Sequence, residues 1–419
     1  MLGELIIGGI LSAGALYCLC FSGDEGNKVC NYKEIKDGKD PQGIIVSEHV
    51  RLSVKQSNRH MLMVAPSGTG KSHSFFTYNV RDLDGSLVVN DPSGEMSSYY
   101  TGEKYIFNPF DAHSISIDPL ANCRNEFDVD KLASIILDSG KSKGDDGKQQ
   151  EWLDMAKPLL QSYMIYNWNV KKYTFCECIL NVMTKPLIGK TPQDDSIAKE
   201  VFDSEIEGAI LRLKSFLRLI NANGTLSSVY AVVNTCLRLF MDKNVNRITS
   251  RNDFDVTKMR ERRMGLFIEI PDRHAEYFRP LTNIIINQLL DKLFDTDGLQ
   301  VYFLLDEFGN MTIDGMSGVL STARKKHISI CAALQTFTQI RDRYGLEYES
   351  IMEMFRTIVI CPGLRKSAEY AASLIGETRT DSKTEPLMTA SEIRTLETGK
   401  LLVVMDNKRV VKDNMFSAI

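Results

Sequence analysis

Residues 61–72, with the sequence MLMVAPSGTGKS, constrain the fold of this chain more than any other segment. An apolar run of strand character enters a loop of small residues, and residues 74–80 after the loop are compatible with a helix. This order is typical of a loop that wraps backbone amides around phosphate oxygens at a helix N-terminus. We therefore predict a nucleotide-binding loop here. The alternative is a glycine-rich surface turn that carries a lysine.

The loop also predicts what individual residues do. We expect Lys71 to reach the β- and γ-phosphate oxygens and the Ser72 hydroxyl to coordinate Mg²⁺. Ala65 stands where such loops usually begin with glycine, and alanine can often support the same tight exit from the strand. The predicted nucleotide-binding residues are Pro66, Ser67, Gly68, Thr69, Gly70, Lys71 and Ser72.

A second candidate site segment is VYFLLDEF, residues 301–308. Its apolar run has the character of a buried strand and ends in Asp306 and Glu307, two carboxylates that are costly to bury without a partner. Asp306 is suited to the Mg²⁺ shell, and Glu307 is suited to polarising a water for in-line attack on the γ-phosphorus. An acid at this position favours an ATPase over a GTPase, so the predicted cofactors are ATP and Mg²⁺. The alternative is a solvated strand end.

Two further candidates follow along the chain. The apolar run 328–334 ends next to Gln335, whose amide is placed to contact the γ-phosphate. Before this run, residues 324–327 form the densest basic cluster, Arg-Lys-Lys-His. These cations either complement the dipole at a helix C-terminus, or supply Arg324 to a neighbour's γ-phosphate, or bind a nucleic-acid backbone. The residues alone leave all three interpretations open.

The distribution of apolar runs predicts an α/β fold. Strand-like runs dominate residues 44–120, helical periodicity dominates 124–245, and strand-like runs separated by helices return from 265 onwards. We expect a P-loop fold with a mainly parallel sheet, interrupted by an all-α insertion. The predicted anchor is 1–22. The predicted nucleotide-binding domain has two parts, 23–123 and 251–419, and the all-α domain inserted between them is 124–250.

The charge and cysteine content argue against a broadly basic nucleic-acid-binding surface, a disulfide framework and a structural zinc site. Among 419 residues, 50 basic and 54 acidic side chains give a formal charge of −4. A broadly basic coat for nucleic acid is therefore absent, and any such contact must be local. Nine cysteines, an odd number without Cys-x-x-Cys spacing, argue against a disulfide framework and against a structural zinc site.

The N-terminus predicts a membrane anchor. Residues 5–21 form an uninterrupted run of apolar and small residues that is just long enough to span a bilayer. No lysine or arginine precedes the run, which disfavours a cleaved signal peptide. Lysines follow it, which places the rest of the chain in the cytoplasm. We expect one pass through the cytoplasmic membrane, with a signal peptide or a buried helix as alternatives.

The order of the motifs resembles the TraG/VirD group of type IV coupling proteins, the ATPases of conjugation and type IV secretion. The resemblance extends over residues 45–410. It rests on five segments, of which the phosphate loop alone is common to many families: APSGTGKS, SLVVNDPSGE, YIFNPFD with SISIDPLA, FLLDEFGN and ALQTFTQIRDRYG. In one of them Ser93 replaces the lysine that the family usually carries, and the family often has two membrane helices where we expect at most one in this chain.

The resemblance implies a RecA-like motor with an inserted all-α domain. It implies Walker A roles for Lys71 and Ser72, Walker B roles for Asp306 and Glu307, and a sensing role for Gln335. Arg324 falls where the family places an arginine finger that acts across a subunit boundary, in a ring expected to be a homo-hexamer. The implied substrate is single-stranded DNA attached to a relaxase, or an effector protein, which is driven into a type IV secretion channel.

Two other functions remain open at the level of the residues. One is a ring translocase of the FtsK/HerA type that acts on duplex DNA. The other is a receptor or adaptor whose nucleotide site only gates assembly. The NPFD segment and the size of the helical insertion favour a coupling protein over the first. Glu307 favours turnover over the second.

Overall fold

A ten-stranded sheet forms the centre of the computed structural model, which describes residues 29–31, 42–140, 148–170, 172–191, 193–223, 226–379, 384–405 and 410–417. The strands are β1 (Cys30–Asn31), β2 (Gln42–Ile45), β3 (Arg51–Ser53), β4 (Met61–Val64), β5 (Ser86–Asn90), β6 (Glu103–Phe107), β7 (Met264–Ile268), β8 (Val301–Leu305), β9 (Ile328–Leu334), β10 (Thr357–Ile360), β11 (Glu377–Arg379), β12 (Thr384–Pro386), β13 (Lys400–Met405) and β14 (Val411–Asn414).

The helices cover both faces of the sheet and fill the interval between β6 and β7. They are α1 (Val54–Ser57), α2 (Thr77–Asp82), α3 (Glu126–Ser139), α4 (Lys148–Val170), α5 (Phe175–Thr184), α6 (Ile197–Asp203), α7 (Glu207–Asn223), α8 (Leu226–Leu237), α9 (Lys243–Ile248), α10 (Ala275–Phe294), α11 (Met316–Lys325), α12 (Thr338–Tyr344), α13 (Tyr348–Met354), α14 (Ser367–Ile375) and α15 (Ala390–Arg394). Short 3₁₀ turns lie between several of them, among them Val256–Arg260, Asp272–His274 and Phe308–Asn310.

The sheet is mainly parallel, as predicted. Its strand order is β1-β14-β13-β10-β4-β9-β8-β5-β7-β6, and every pair from β10 to β6 is parallel. β13 differs from a purely parallel arrangement, because it pairs antiparallel with β10 and with β14. Parallel strands place their carboxyl ends on one edge of a sheet, so the loops after β4, β9, β8, β5 and β7 meet there.

The central strands are buried on both faces, which explains their continuous apolar sequences. All residues of β4, β5, β7, β8 and β9 are buried. Successive side chains point to opposite faces, so Leu62 and Val64 enter one apolar cluster while Met61 and Met63 enter the other. The period-two alternation thus builds two cores from one strand.

Helices α3 to α9 lie between β6 and β7, in the interval predicted as an inserted domain. They share one apolar cluster with α10 and with one face of the sheet, since that cluster includes Val129 of α3, Tyr163 of α4, Ile284 of α10 and Val88 of β5. The helical layer therefore packs onto the sheet through a continuous core. The domain divisions themselves stay a prediction.

Residues 1–22, the predicted anchor, lie outside the described ranges. Within those ranges, no helix combines the length and the apolar character needed to cross a bilayer.

Candidate functional site

The loop after β4 has the backbone of a phosphate cradle. Gly68 and Gly70 have φ values of +82° and +79°, a region that side chains with a Cβ rarely adopt. Thr69 closes the turn, because its N–H and its Oγ1 both donate to the Pro66 carbonyl, at 3.3 and 2.9 Å. No heavy atom lies within 4 Å of the Cβ position at Gly68. The loop therefore has open space beside its backbone.

The helix that follows starts with an unusual turn. Ser72–Phe76 is π-helical and continues directly into α2. The Thr77 hydroxyl donates to the Ser72 carbonyl at 2.9 Å, and the Ser74 amide and hydroxyl both donate to the Gly70 carbonyl at 2.8 Å. No side chain caps the helix start at Lys71. No side-chain cap therefore competes with an anion at this helix start, and the helix dipole favours an anion there.

Lys71 reaches the strand end that carries the paired acids. Its Nζ donates to Glu307 Oε1 and lies 3.2 Å from Asp306 Oδ1. The neighbouring Ser72 hydroxyl donates to Asp306 Oδ2 at 2.6 Å. All three charged side chains are buried, with 8%, 5% and 3% of Lys71, Glu307 and Asp306 exposed. The structure thus joins the two predicted segments in one site.

The electrostatics of this cluster follow from its burial. Burial alone lowers the pKa of the Lys71 ammonium, but the negative charge of Asp306 and the hydrogen bond to Glu307 outweigh it, so the net pKa is raised. Burial raises the pKa of the Asp306 carboxyl, although Lys71 and the Ser72 hydroxyl oppose the shift. Asp306 therefore holds its proton more readily than an exposed aspartate, and a cation placed beside it would counter that tendency.

Glu307 is held in a conformation that few residues adopt. Its φ and ψ are 57° and 45°, in the left-handed region. Its amide donates to Asp306 Oδ1 at 3.0 Å, and Gln335 Nε2 donates to its Oε2 at 3.0 Å. Both carboxylate oxygens are thus occupied, one by Lys71 and one by Gln335.

Gln335 is connected to the loop that follows Glu307 through α12. Gln339 Oε1 accepts the amides of Gln335 and Thr336, at 2.7 and 3.2 Å. A Cβ at Gly309 would lie 2.4 Å from Gln339 Nε2, so a larger residue there would displace the Gln339 amide. Arg343 donates through Nε to the Gly309 carbonyl at 2.9 Å. A displacement of Gln335 would therefore also move Gln339 in α12 and the loop that carries Glu307.

Three polar residues near the acids were not assigned roles from the sequence. Asn90, the last residue of β5, donates to the Asp306 carbonyl. Asp91 accepts from Ser93, Gly94 and Met96 and so shapes the turn in which serine replaces the family's usual lysine. Asp272 has a raised pKa, because partial burial is reinforced by the charges of Glu307 and Asp306. The signal that identified Asp306, an acid directly after a buried strand, also applies to Asp91, whereas Asp272 lies four residues beyond the end of β7.

Arg324 is the one predicted site residue that the structure does not bring to this edge. It is exposed in the last turn of α11, directly before β9, whereas Gln335 directly follows β9. The seven residues of β9 separate the end of α11 from Gln335, a distance of about 23 Å at the usual rise per residue of a β-strand. Within one chain, Arg324 therefore lies at the amino edge of the sheet and the phosphate loop lies at the carboxyl edge.

Solved structures with this architecture include those of bacterial conjugative coupling proteins. The unbound form of TrwBdeltaN70 superposes with a TM-score of 0.72, at 19% identity and with 91% of each chain covered. TrwB in complex with the GTP analogue GDPNP gives a TM-score of 0.73, also at 19% identity, with 92% of each chain covered. At this identity the similarity shows the fold. The prediction of an α/β P-loop fold is confirmed.

Sequence comparison gives the family. VirD4 of Agrobacterium fabrum (strain C58 / ATCC 33970) is 20% identical over 390 residues, which is 85% of this chain and 56% of VirD4. VirD4 of Rhizobium radiobacter is 20% identical over 389 residues, or 84% and 54%. The chain thus spans about half the length of these relatives. The model of the family described as type IV secretory system conjugative DNA transfer matches residues 27–386. The chain therefore belongs to this family, the TraG/VirD group of type IV coupling proteins.

Proposed function

We propose that this chain is an ATPase that couples a transfer substrate to a type IV secretion channel during conjugation. The observation that carries the proposal is the convergence of Lys71, Ser72, Asp306, Glu307 and Gln335 at one edge of the sheet. These five residues come from three separate loops, and each has the side chain that phosphoryl transfer requires at its position.

ATP and Mg²⁺ fit the residues present. The loop 66–72 has open space beside Gly68 for phosphate oxygens, and Ser72 and Asp306 share a hydrogen bond that coordination of one metal ion by both residues would replace. Bound Mg²⁺ would neutralise phosphate charge during transfer. A related TrwB structure contains ADP and Mg²⁺, at a TM-score of 0.70. This supports the assignment of both cofactors to this chain.

The contacts of Glu307 suggest how its reactivity is controlled. Lys71 binds Glu307 when no phosphate competes for its ammonium. A phosphate held by Lys71 would draw this contact away and leave Glu307 bound by Gln335 alone. The freed Oε1 then accepts a proton from a water placed for in-line attack. Gln335 keeps the carboxylate oriented and senses whether the phosphate is present.

Arg324 completes the proposal between subunits. An exposed arginine at the opposite edge of the sheet cannot reach its own phosphate loop, but it can reach that of a neighbour in a head-to-tail ring. We propose a homo-hexamer in which Arg324 of one subunit stabilises the transition state in the next. The closed ring is the arrangement that gives every site one such arginine.

Substrate and location rest on the family. We propose single-stranded DNA with a relaxase, or an effector protein, as cargo, and the secretion channel and the cytoplasmic membrane as partners. The anchor is assigned to residues 5–21 on their apolar sequence. The family's conjugative transfer function and the similarity to VirD4 support these assignments.

One experiment tests the proposal as a whole. Plasmid transfer is measured by mating in a strain whose only copy of the gene carries Lys71→Ala, alongside steady-state ATPase activity of the purified full chain with and without single-stranded DNA. We expect transfer and ATPase activity to be lost together. Normal transfer with the variant, or wild-type protein that hydrolyses no ATP under any condition that supports transfer, would contradict a coupling ATPase.

A further inference from the structure

The corner between α11 and β9, residues 324–327, carries Arg324 on its outer side and is held from inside by two buried side chains. We propose that Arg260 and His60 are positioning residues, which orient Arg324 for its action on a neighbouring subunit. The inference rests on the proposed role of Arg324. Neither residue follows the carboxyl end of a strand of the parallel sheet, where the phosphate loop lies.

Arg260 ties the corner to the elements behind it. It ends the 3₁₀ turn Val256–Arg260, and only 4% of the residue is exposed. Its two terminal nitrogens donate to four backbone carbonyls. The acceptors, with their distances, are Lys326 at 2.7 Å, Leu299 at 2.8 Å, Leu293 at 3.1 Å and His327 at 3.4 Å. Two of these carbonyls belong to the residues that directly follow Arg324 and Lys325.

The bonding of Arg260 is unusual for a buried charge. Across the described residues its guanidinium forms no ion pair, and the nearby Asp297 binds Lys326 instead, at 3.1 Å. Burying an unpaired charge is costly, and the four carbonyl acceptors offset part of that cost. Gly298 shows how tightly the site is packed, because a Cβ there would lie 2.3 Å from the Arg260 carbonyl. The function of arginine at this position is to donate hydrogen bonds through its two terminal nitrogens.

His60 fastens the other side of the corner. It is 2% exposed and precedes β4 with a φ of 65°. Its Nε2 donates to the Leu320 carbonyl at 2.7 Å, and its Nδ1 accepts the Ile330 amide at 3.1 Å. Leu320 lies one helical turn before Arg324 on α11, and Ile330 lies on β9. His60 thereby fixes the helix that carries Arg324 relative to the strand that leads to Gln335.

These contacts fix the backbone from which the Arg324 side chain extends. The helix is fixed one turn earlier by His60 and the backbone is fixed two and three residues later by Arg260, so the exposed side chain starts from a rigid base. A displacement of about 1 Å in a catalytic group can cost about 10²-fold in rate. The corner has to be rigid because the phosphate that it serves belongs to another molecule.

The test uses the full-length chain with Arg260→Met, which keeps volume and removes the donors. We expect kcat to fall at least ~10-fold while affinity for a fluorescent ATP analogue changes less than twofold. Adding Arg324→Ala to this variant should cause no loss beyond that of Arg324→Ala alone, because both changes act through one residue. Arg260→Lys, which keeps a charge but not the fork, should lose less activity and serves if the methionine variant does not fold.

A mixing experiment separates positioning from general damage. Chains carrying Arg260→Met are co-expressed with chains carrying Lys71→Ala under different affinity tags, and mixed oligomers are isolated by tandem purification. A Lys71→Ala neighbour supplies an intact corner to the intact site of the Arg260→Met chain, so kcat per intact site should rise above that of the Arg260→Met oligomer. A variant that is merely destabilised would gain nothing.

The matched control is Arg279→Met. Arg279 is likewise buried and donates through Nε and a terminal nitrogen to a backbone carbonyl, that of Ser139, but it joins α10 to α3. It should show no rescue on mixing. Suppose that Arg324→Ala lowers kcat but Arg260→Met either keeps a wild-type kcat or is not rescued by mixing. That result overturns this inference and leaves the proposed role of Arg324 intact. An Arg324→Ala variant with wild-type kcat overturns both this inference and the proposed role of Arg324.

Discussion

The Lys71 ammonium contacts the Glu307 carboxylate, although 236 positions separate the two residues in sequence. The contact joins the loop after β4 to the end of β8, across the intervening strand β9. It places the only cation of the phosphate loop on the acid that we propose to activate water. Binding of a phosphate and release of Glu307 are therefore alternative uses of one ammonium group.

Replacing Lys71 should abolish nucleotide binding. In Lys71→Ala the phosphates lose their cation, and two buried carboxylates lose the charge that compensates them. Isothermal titration with ATP should show no binding, and the thermal midpoint should fall. Lys71→Arg keeps the charge but not the shape of lysine. It should therefore restore the thermal unfolding midpoint without restoring the rate of ATP hydrolysis. Lys258→Ala, an exposed lysine elsewhere, is the control. Wild-type ATP affinity in Lys71→Ala would remove this loop from the site.

Glu307→Gln should separate binding from hydrolysis. The amide keeps the size of the side chain and a hydrogen bond with Gln335, but it cannot accept the proton of the attacking water. We expect ATP to bind with affinity near wild type and the hydrolysis rate to fall at least ~10²-fold. Single-turnover measurements distinguish slow chemistry from slow release. Turnover near the wild-type rate would show that another group takes the proton.

Two neighbouring serines should respond differently to alanine. The Ser72 hydroxyl donates to Asp306, whereas the Ser74 hydroxyl donates to the Gly70 carbonyl within the helix start. If Ser72 and Asp306 hold Mg²⁺, Ser72→Ala should remove most of the gain in ATP affinity that Mg²⁺ produces. Ser74→Ala should retain that gain. Titrations with ATP in Mg²⁺ and in EDTA measure it, and equal behaviour of the two variants would exclude Ser72 as a metal ligand.

His60 should make the stability of the fold depend on pH. Burial lowers its pKa from 6.5 to about 4, and the charge of Arg324 adds to the shift against the opposing Leu320 carbonyl. Between these values the unfolded chain binds a proton that the native chain does not, so the free energy of unfolding falls as the pH falls from 6.5 to 4. The full effect is on the order of 3 kcal/mol.

The measurement is urea unfolding of the wild type and of His60→Asn over this pH range. Asparagine tolerates a positive φ and does not titrate. The variant should be less stable at pH 7 but should lack this component of the pH slope. An unchanged slope would mean that His60 is not the neutral buried group described above.

Deleting residues 1–22 should release the chain from membranes. The deleted segment contains the apolar run 5–21 that we assign as the anchor. After a carbonate wash, the full-length chain should stay with the membrane pellet and the shortened chain should appear in the supernatant. Persistence of the shortened chain in the pellet would place the membrane contact elsewhere.

Much of the fold was predictable because it rests on local patterns. Buried parallel strands have continuous apolar sequences, so β4, β5, β7, β8 and β9 were all recognisable. The antiparallel direction of β13 was not, because strand direction depends on how the chain returns to the sheet. The acids at strand ends were visible for Asp306 and Glu307, while Asp272, in a turn beyond β7, was overlooked.

The sequence by itself determined which chemistry the chain carries. A glycine-rich loop between an apolar strand and a helix, and an acid pair after another strand, are local features that follow from backbone conformation and charge. Only the tertiary structure decided which of these groups meet. The register of β4, β9 and β8 brings Lys71, Gln335 and Glu307 together, and the length of β9 separates Arg324 from them. Such contacts depend on strand order across the sheet, which no local pattern encodes.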